Sequence, residues 1–175
     1  MTKLFEQYLY DEADKLLETG KGIFRSNGEL QTAFFIVKDK KPGLVGFEHG
    51  FDGLDKKEVG EVIATLAANV KAEYIIHVSE AWVVERPSAS IKPGDDLPVP
   101  SQSSDRKEKI VVYIMNPKGE ISMKMSDINR IDETKVEFED SEWCDGGEMY
   151  TVPPWEDFEP PGDLVFEEVK PPTIH

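Results

Sequence analysis

The residues from Glu73 to Glu85 form the longest stretch of the chain that is dense in β-branched and aromatic side chains. One face of this stretch, interrupted only by Glu80, is apolar and consists of Tyr74, Ile76, Val78, Trp82 and Val84. The alternate face is also largely apolar, which predicts a central strand covered on one side and partly covered on the other. At about 3.3 Å per residue the strand would reach about 40 Å, so we expect it to bend, bulge or overhang the sheet.

Two helices are predicted from apolar residues at helical spacing. The first covers residues 3–19, and Gly20 and Gly22 are expected to end it, since glycine accepts the left-handed conformation of a C-terminal cap. The second begins at Asp55, which forms a capping-box pattern with Glu58. Its predicted buried stripe consists of Val59, Val62, Ile63, Leu66 and Val70.

Further strands are predicted from short runs rich in β-branched residues. They cover residues 32–37, 44–47, 110–115, 121–125 and 135–138. Lys41-Pro-Gly43 and Asn116-Pro-Lys-Gly119 provide the turn signals of two hairpins. The order αββαβββ predicts an α+β fold, with a mostly antiparallel sheet of about five strands and both helices on one face. This element order is similar to that of roadblock- and profilin-like domains, which are scaffolding and binding modules.

The chain is predicted to consist of one α+β domain, residues 1–139, and a C-terminal arm, residues 140–175. Within the domain, residues 86–108 contain four prolines and five serines. A loop of this length is unusual in a compact domain, so it is either mobile or a functional lid.

The net charge of −15 is concentrated near the C-terminus. Residues 132–175 carry fourteen acidic side chains against two lysines, a net charge of −12. This field repels phosphate backbones and argues against direct nucleic-acid binding, but it attracts basic partners. The chain shows no secretory signal or apolar run of membrane-spanning length, and its single cysteine is Cys144. These features favour a cytoplasmic protein.

Two short motifs flank the long loop: Ser79-Glu-Ala-Trp82 precedes it and Asp105-Arg-Lys-Glu108 lies at its end. This pattern resembles one found in uncharacterised small proteins of bacteria and phages, over roughly residues 60–125. The resemblance implies a bacterial or phage origin and carries no activity with it.

His77, Ser79 and Glu80 suggest a hydrolase site, but strand geometry opposes it. His77 and Ser79 share a face with their bases about 7 Å apart, while Glu80 points to the other face. We therefore predict structural roles for these residues and no catalytic residue. No converging set of histidine, cysteine or carboxylate ligands is recognisable, so no metal or cofactor is predicted.

The arm combines acidic residues with aromatic residues and proline pairs, whereas a purely solvating tail would be poor in aromatics. We expect it to dock, either on the protein's own sheet or on another chain. The predicted partner-binding residues are Trp143, Tyr150, Trp155, Phe158, Glu156, Asp157 and Glu159.

The leading functional hypothesis is therefore a non-enzymatic interaction module that binds a basic or groove-bearing protein partner through this arm. One alternative is a DNA-mimicking inhibitor of a nucleic-acid-binding host defence protein. Another is a small-ligand binder or hydrolase with residues 86–108 as a lid over His77 and Ser79. Self-association is left open.

Overall fold

The computed structural model describes residues 3–45, 55–83, 106–146 and 152–159. The helices are α1 (Gln7–Asn27) and α2 (Lys56–Val70). The strands are β1 (Ala33–Lys38), β2 (Lys41–Val45), β3 (Tyr74–Val83), β4 (Lys107–Met115), β5 (Ile121–Arg130), β6 (Val136–Asp140) and β7 (Cys144–Asp145). The α+β class is confirmed, and the elements begin in the predicted order αββαβββ. Two further strands follow, so the sheet has seven strands instead of about five. No helix in these ranges is long and apolar enough to cross a membrane.

The strands form a sheet in the order β2-β1-β3-β4-β5-β6, with β7 paired to β5, and every described pairing is antiparallel. The β3–β4 register is continuous from Ile75 opposite Met115 to Val83 opposite Lys107. Pairing between β1 and β3 stops at Val78. The end of β3 therefore extends past β1 but stays paired with β4 up to Val83, and this ladder contains no bulge. That the strand bends, bulges or overhangs the sheet stays a prediction, since residues 84 and 85 lie outside the described ranges.

The two helices lie on opposite faces of the sheet, so the predicted placement of both on one face is wrong. Ile76 and Ile114 pack in the same buried cluster as α1, on what we call the α1 face. Ile75 and Met115 pack with α2, on the α2 face. Because β3 and β4 carry buried side chains on both faces, each face requires its own cover.

Helix α1 continues through both predicted C-terminal glycines and ends at Asn27. Gly28 forms the C-cap at φ 75°, and its N–H donates to the carbonyl of Phe24 at 2.7 Å. A Cβ at Gly20 would lie 3.2 Å from Leu30 and 3.5 Å from Val78. Gly20 therefore allows the helix to approach the sheet closely, and the prediction that it ends the helix is wrong.

The first hairpin turns at Asp39 and Lys40, which have φ angles of 52° and 62°. Lys38 pairs directly with Lys41, so the loop contains only these two residues. Two consecutive residues with positive φ match the turn that fits the twist of a two-residue hairpin. The predicted turn at Lys41-Pro-Gly43 is wrong, since these residues begin β2. Pro42 is tolerated there because β2 is an edge strand among the strands that the structure describes.

The capping box of α2 is confirmed. The carboxylate of Asp55 accepts a hydrogen bond from the Glu58 N–H at 2.8 Å, and that of Glu58 accepts one from the Asp55 N–H at 3.1 Å. Of the predicted stripe, Val59 and Ile63 are buried while the other three residues are partly buried. The smaller residues Gly60, Ala64, Thr65 and Ala67 complete the buried surface of the helix.

We predict that Asp55→Ala lowers the free energy of unfolding by about 1 kcal/mol, because the N–H of Glu58 loses its acceptor. Urea unfolding followed by circular dichroism measures the change. Asp55→Ser should retain most of the stability, and Lys56→Ala, a change at the neighbouring exposed position, serves as the control. Equal losses in Asp55→Ala and Lys56→Ala would contradict the capping role.

Candidate functional site

Residues 152–159 of the arm, which we call the docked arm, pack on the protein's own body. Val152 and Trp155 are buried in the α2-face core, and the indole Nε1 of Trp155 donates to the carbonyl of Ala72 at 3.1 Å. The backbone N–H groups of Trp155 and Glu156 both donate to the carbonyl of Pro117 at 3.1 Å. The sequence left open whether the arm docks on the protein's own sheet or on another chain, and residues 152–159 dock on their own chain.

Trp143 occupies a different place, at the α1 face. Its ring meets that of Tyr10 edge to face, with centroids 5.0 Å apart. The following strand β7 pairs with β5, and the carboxylate of Asp145 accepts hydrogen bonds from Ser122 at 2.7 Å and from the backbone of Leu4 at 3.2 Å. Trp143 and Trp155 thus attach the arm to opposite faces of one sheet.

A groove of about 370 Å³ lies where the docked arm meets the β4–β5 turn. We call it the arm groove, and it is lined by Pro117, Lys118, Pro154, Glu156, Asp157 and Phe158. Gly119 in the turn has φ 89°, and a Cβ there would lie 2.9 Å from Pro154. The absence of a side chain at this position therefore permits the close contact that forms the groove.

The groove combines apolar walls with an acidic rim. Phe158 is half-buried, whereas Glu156, Asp157 and the adjacent Glu159 are exposed. Lys118 is the one cationic side chain in its lining. Such a surface can hold the aliphatic stem of a lysine or arginine side chain against the prolines and Phe158 while carboxylates face its charged end.

The structure brings together only part of the predicted partner-binding set. Glu156, Asp157 and Phe158 line one groove with Glu159 next to them, while Trp155 lies beneath and Trp143 lies elsewhere. Tyr150 lies outside the described residues. Sequence reasoning missed Pro117, Lys118 and Pro154 as lining residues. Asn116-Pro-Lys-Gly119 was recognised only as a turn, and nothing local in it indicates a contact with the arm.

The residues considered for a hydrolase do not form a proton-transfer pair. His77 stacks on Phe34 at 4.4 Å and meets Tyr113 at 4.6 Å between ring centroids. Neither of its nitrogens has a hydrogen-bond partner in the part of the chain that the structure describes. Burial lowers the pKa of His77 to about 3. Glu80 belongs to the opposite face, as predicted, and accepts a hydrogen bond from the Leu30 N–H at 3.2 Å.

Within the described ranges, no three or more histidine, cysteine, aspartate or glutamate side chains are placed to hold a metal ion. Comparisons of the chain with protein-family models, with curated proteins and with solved structures each give no significant match.

We predict that Trp155→Ala destabilises the protein by about 3–5 kcal/mol and releases the docked arm, because it removes a buried indole and leaves a cavity. Hydrogen–deuterium exchange should show loss of protection in residues 152–159 beyond that in β3 and β4. Trp82→Ala is the matched control, since Trp82 is 42% exposed and its loss should cost about 1 kcal/mol or less. Similar losses in the two variants would contradict the anchoring role of Trp155.

We predict that the neutral, buried His77 makes folding weaken as pH falls. Its folded pKa of about 3 lies below its ordinary value of 6.5, so between these values the unfolded chain binds the additional proton. Titration of His77 therefore leaves the free energy of unfolding unchanged above pH 6.5. Below pH 6.5 it lowers the free energy of unfolding, by at most about 1.4 kcal/mol per pH unit.

His77→Phe should reduce this pH dependence and preserve or raise stability near neutrality, because phenylalanine fits an aromatic stack and leaves no unpaired polar atom. Urea unfolding of both proteins across the same pH range measures the difference, and subtraction removes the contribution of the carboxylates. Parallel pH profiles would contradict the assignment.

Proposed function

We propose that this protein is a non-enzymatic interaction module that binds a basic segment of a protein partner in the arm groove. The observation that supports this most directly is that the docked arm contains both a buried anchoring residue and exposed acidic residues. Trp155 is 3% exposed and holds the segment on the body, whereas Glu156 and Asp157 beside it are exposed. A segment anchored in this way presents its acidic groups from a fixed position, which lowers the entropic cost of binding.

The chemistry of the groove supports a partner that offers both basic and apolar side chains. Its apolar walls, Pro117, Pro154 and Phe158, suit an aliphatic or aromatic contact, and its acidic rim suits lysine or arginine. The net charge of −15 would accelerate encounter with a basic surface and make association salt-sensitive. In this proposal Trp143 and Trp155 act indirectly, by holding the arm in place.

The exposed thiol of Cys144 is consistent with a reducing compartment. We therefore place the proposed interaction in the cytoplasm. In an oxidising compartment an exposed free cysteine would favour intermolecular disulfides in place of the reversible contact proposed here.

The test uses a fluorescently labelled probe with the sequence Arg-Pro-Leu-Arg-Pro-Leu and blocked ends, whose prolines prevent strand pairing. Fluorescence anisotropy should show binding that weakens with added salt. The double variant Glu156→Gln/Asp157→Gln should bind about tenfold more weakly, because the acidic rim is lost. Phe158→Ala should also weaken binding, since an apolar wall is removed.

The matched control is Glu6→Gln/Glu29→Gln, which removes the same charge from exposed sites outside the groove. Binding in the control should change by about twofold or less, through long-range screening alone. Equal weakening in the two double variants would mean that binding reflects net charge only, and the proposed site would be wrong. An absence of binding by the native protein at low salt would overturn it as well.

A further inference from the structure

A second surface, independent of the arm groove, lies at the β6 end of the sheet. Within the described ranges β6 pairs with β5 alone, so one side of this strand has no strand partner. An unpaired edge carries backbone N–H and C=O groups that can bond to an added strand. None of the residues of β6 is buried, which is consistent with an accessible edge.

The side chains of β6 alternate between two kinds of surface. Val136 and Phe138 are half-buried on the α1 face, where Phe138 meets Phe24 with ring centroids 6.1 Å apart. Glu137 and Glu139 are exposed and point to the opposite face. The edge therefore has an apolar row on one side and an acidic row on the other.

The acidic row has little internal compensation. Among the residues that the structure describes, Glu137 forms an ion pair with Lys135 at 3.5 Å, and both side chains are more than half exposed, so this pair contributes little. Glu139 lies directly opposite Asp127, a like charge whose own partner is the buried Lys109 at 2.9 Å. Lys109 compensates Asp127 from the next strand, so a basic side chain on an added strand would place a second cation beside Glu139, which faces a like charge.

The edge is held in position from the α1 face. Lys21, whose side chain is 6% exposed, bridges Glu18 at 2.6 Å and Asp140 at 2.7 Å. Asp140 also accepts a hydrogen bond from Ser126 at 2.6 Å. Burial lowers the pKa of Lys21, but the hydrogen bonds that its ammonium donates to both carboxylates outweigh this effect and raise the pKa, so the bridge is charged at neutral pH. An added strand would meet an ordered edge.

We propose that β6 binds a partner protein by accepting an extended strand in which basic and apolar residues alternate. The strand's basic side chains would face Glu137 and Glu139, and its apolar side chains would extend the row formed by Val136 and Phe138. Strand periodicity imposes this alternation, because successive side chains of the incoming strand point to opposite faces. A second copy fits poorly: acidic edges repel each other, and Pro42 in the opposite edge β2 lacks an N–H.

The probe is a labelled peptide, Lys-Val-Lys-Val-Lys-Val-Lys, with blocked ends. Its matched control, Lys-Lys-Lys-Lys-Val-Val-Val, has the same composition and charge but lacks the alternation. Anisotropy should show at least about tenfold tighter binding of the alternating peptide. Hydrogen–deuterium exchange should show added protection in Val136–Asp140 when this peptide is bound.

The double variant Glu137→Lys/Glu139→Lys should reduce binding of the alternating peptide at least about tenfold, through loss of attraction and new repulsion. Both positions are exposed, and circular dichroism will check that the variant folds. The groove variant Glu156→Gln/Asp157→Gln should bind it nearly as well as the native protein. The two proposals can therefore fail separately.

Equal affinity for the two peptides would overturn the edge proposal, since it would indicate nonspecific charge attraction. An absence of added protection in β6 would overturn it too. Concentration-dependent self-association that is lost in Glu137→Lys/Glu139→Lys would assign the edge to a second copy and contradict the proposed partner.

Discussion

The continuous hydrogen-bonded ladder between β3 and β4 is buried on both faces over much of its length, and this double burial determines the architecture around it. Ile76 and Ile114 require cover on one side, and Ile75 and Met115 require it on the other. An apolar side chain removed from water contributes about 1.5–3 kcal/mol, so an uncovered face of this ladder would be costly. Helix α1, helix α2 and the arm supply that cover.

The arm has a structural role that is separable from its acidity. Trp143 packs at the α1 face and Trp155 at the α2 face, so the two ends of the described arm attach to different layers. Once these indoles are buried, the carboxylates next to Trp155 are left at the surface near the β4–β5 turn. The composition of the arm thus combines anchoring residues with residues available for binding. The proposed groove depends on both.

The two proposed binding surfaces follow from different physical features. The arm groove results from side-chain and backbone packing between distant segments, and it favours a compact basic element with apolar contacts. The β6 edge results from the end of the sheet, and it favours an extended strand with a fixed alternation. Both have negative charge at their surface, so both proposals name a basic partner, and they differ in the backbone shape that this partner is proposed to have.

The described residues bear on the hydrolase hypothesis more than on the DNA-mimic hypothesis. His77 and Glu80 lie on opposite faces, and His77 has no hydrogen-bond partner in the described ranges, so these side chains do not assemble a catalytic pair there. Residues 86–105 of the predicted lid fall outside those ranges. A DNA-mimicking role stays a prediction, because it requires an ordered row of carboxylates at phosphate spacing.

Signals that involve neighbouring residues were readable from the sequence: the Asp55–Glu58 capping box, the two amphipathic helices, the long central strand and the α+β class. Such signals depend on hydrogen bonds and periodicity within one element. The hairpin turn at Asp39 and Lys40 was not readable, because the β1–β2 register selected it over a nearby Pro-Gly signal. Gly20 was misread as a helix end because its role depends on Leu30 and Val78 across the interface.

The placement of the helices on opposite faces and the burial of Trp155 were likewise decided by contacts between residues far apart in the chain. The sequence alone determined that the arm is acidic and rich in aromatics. Only the tertiary structure decided which aromatics are buried and which acids remain exposed, because burial depends on the surface that a side chain meets after folding.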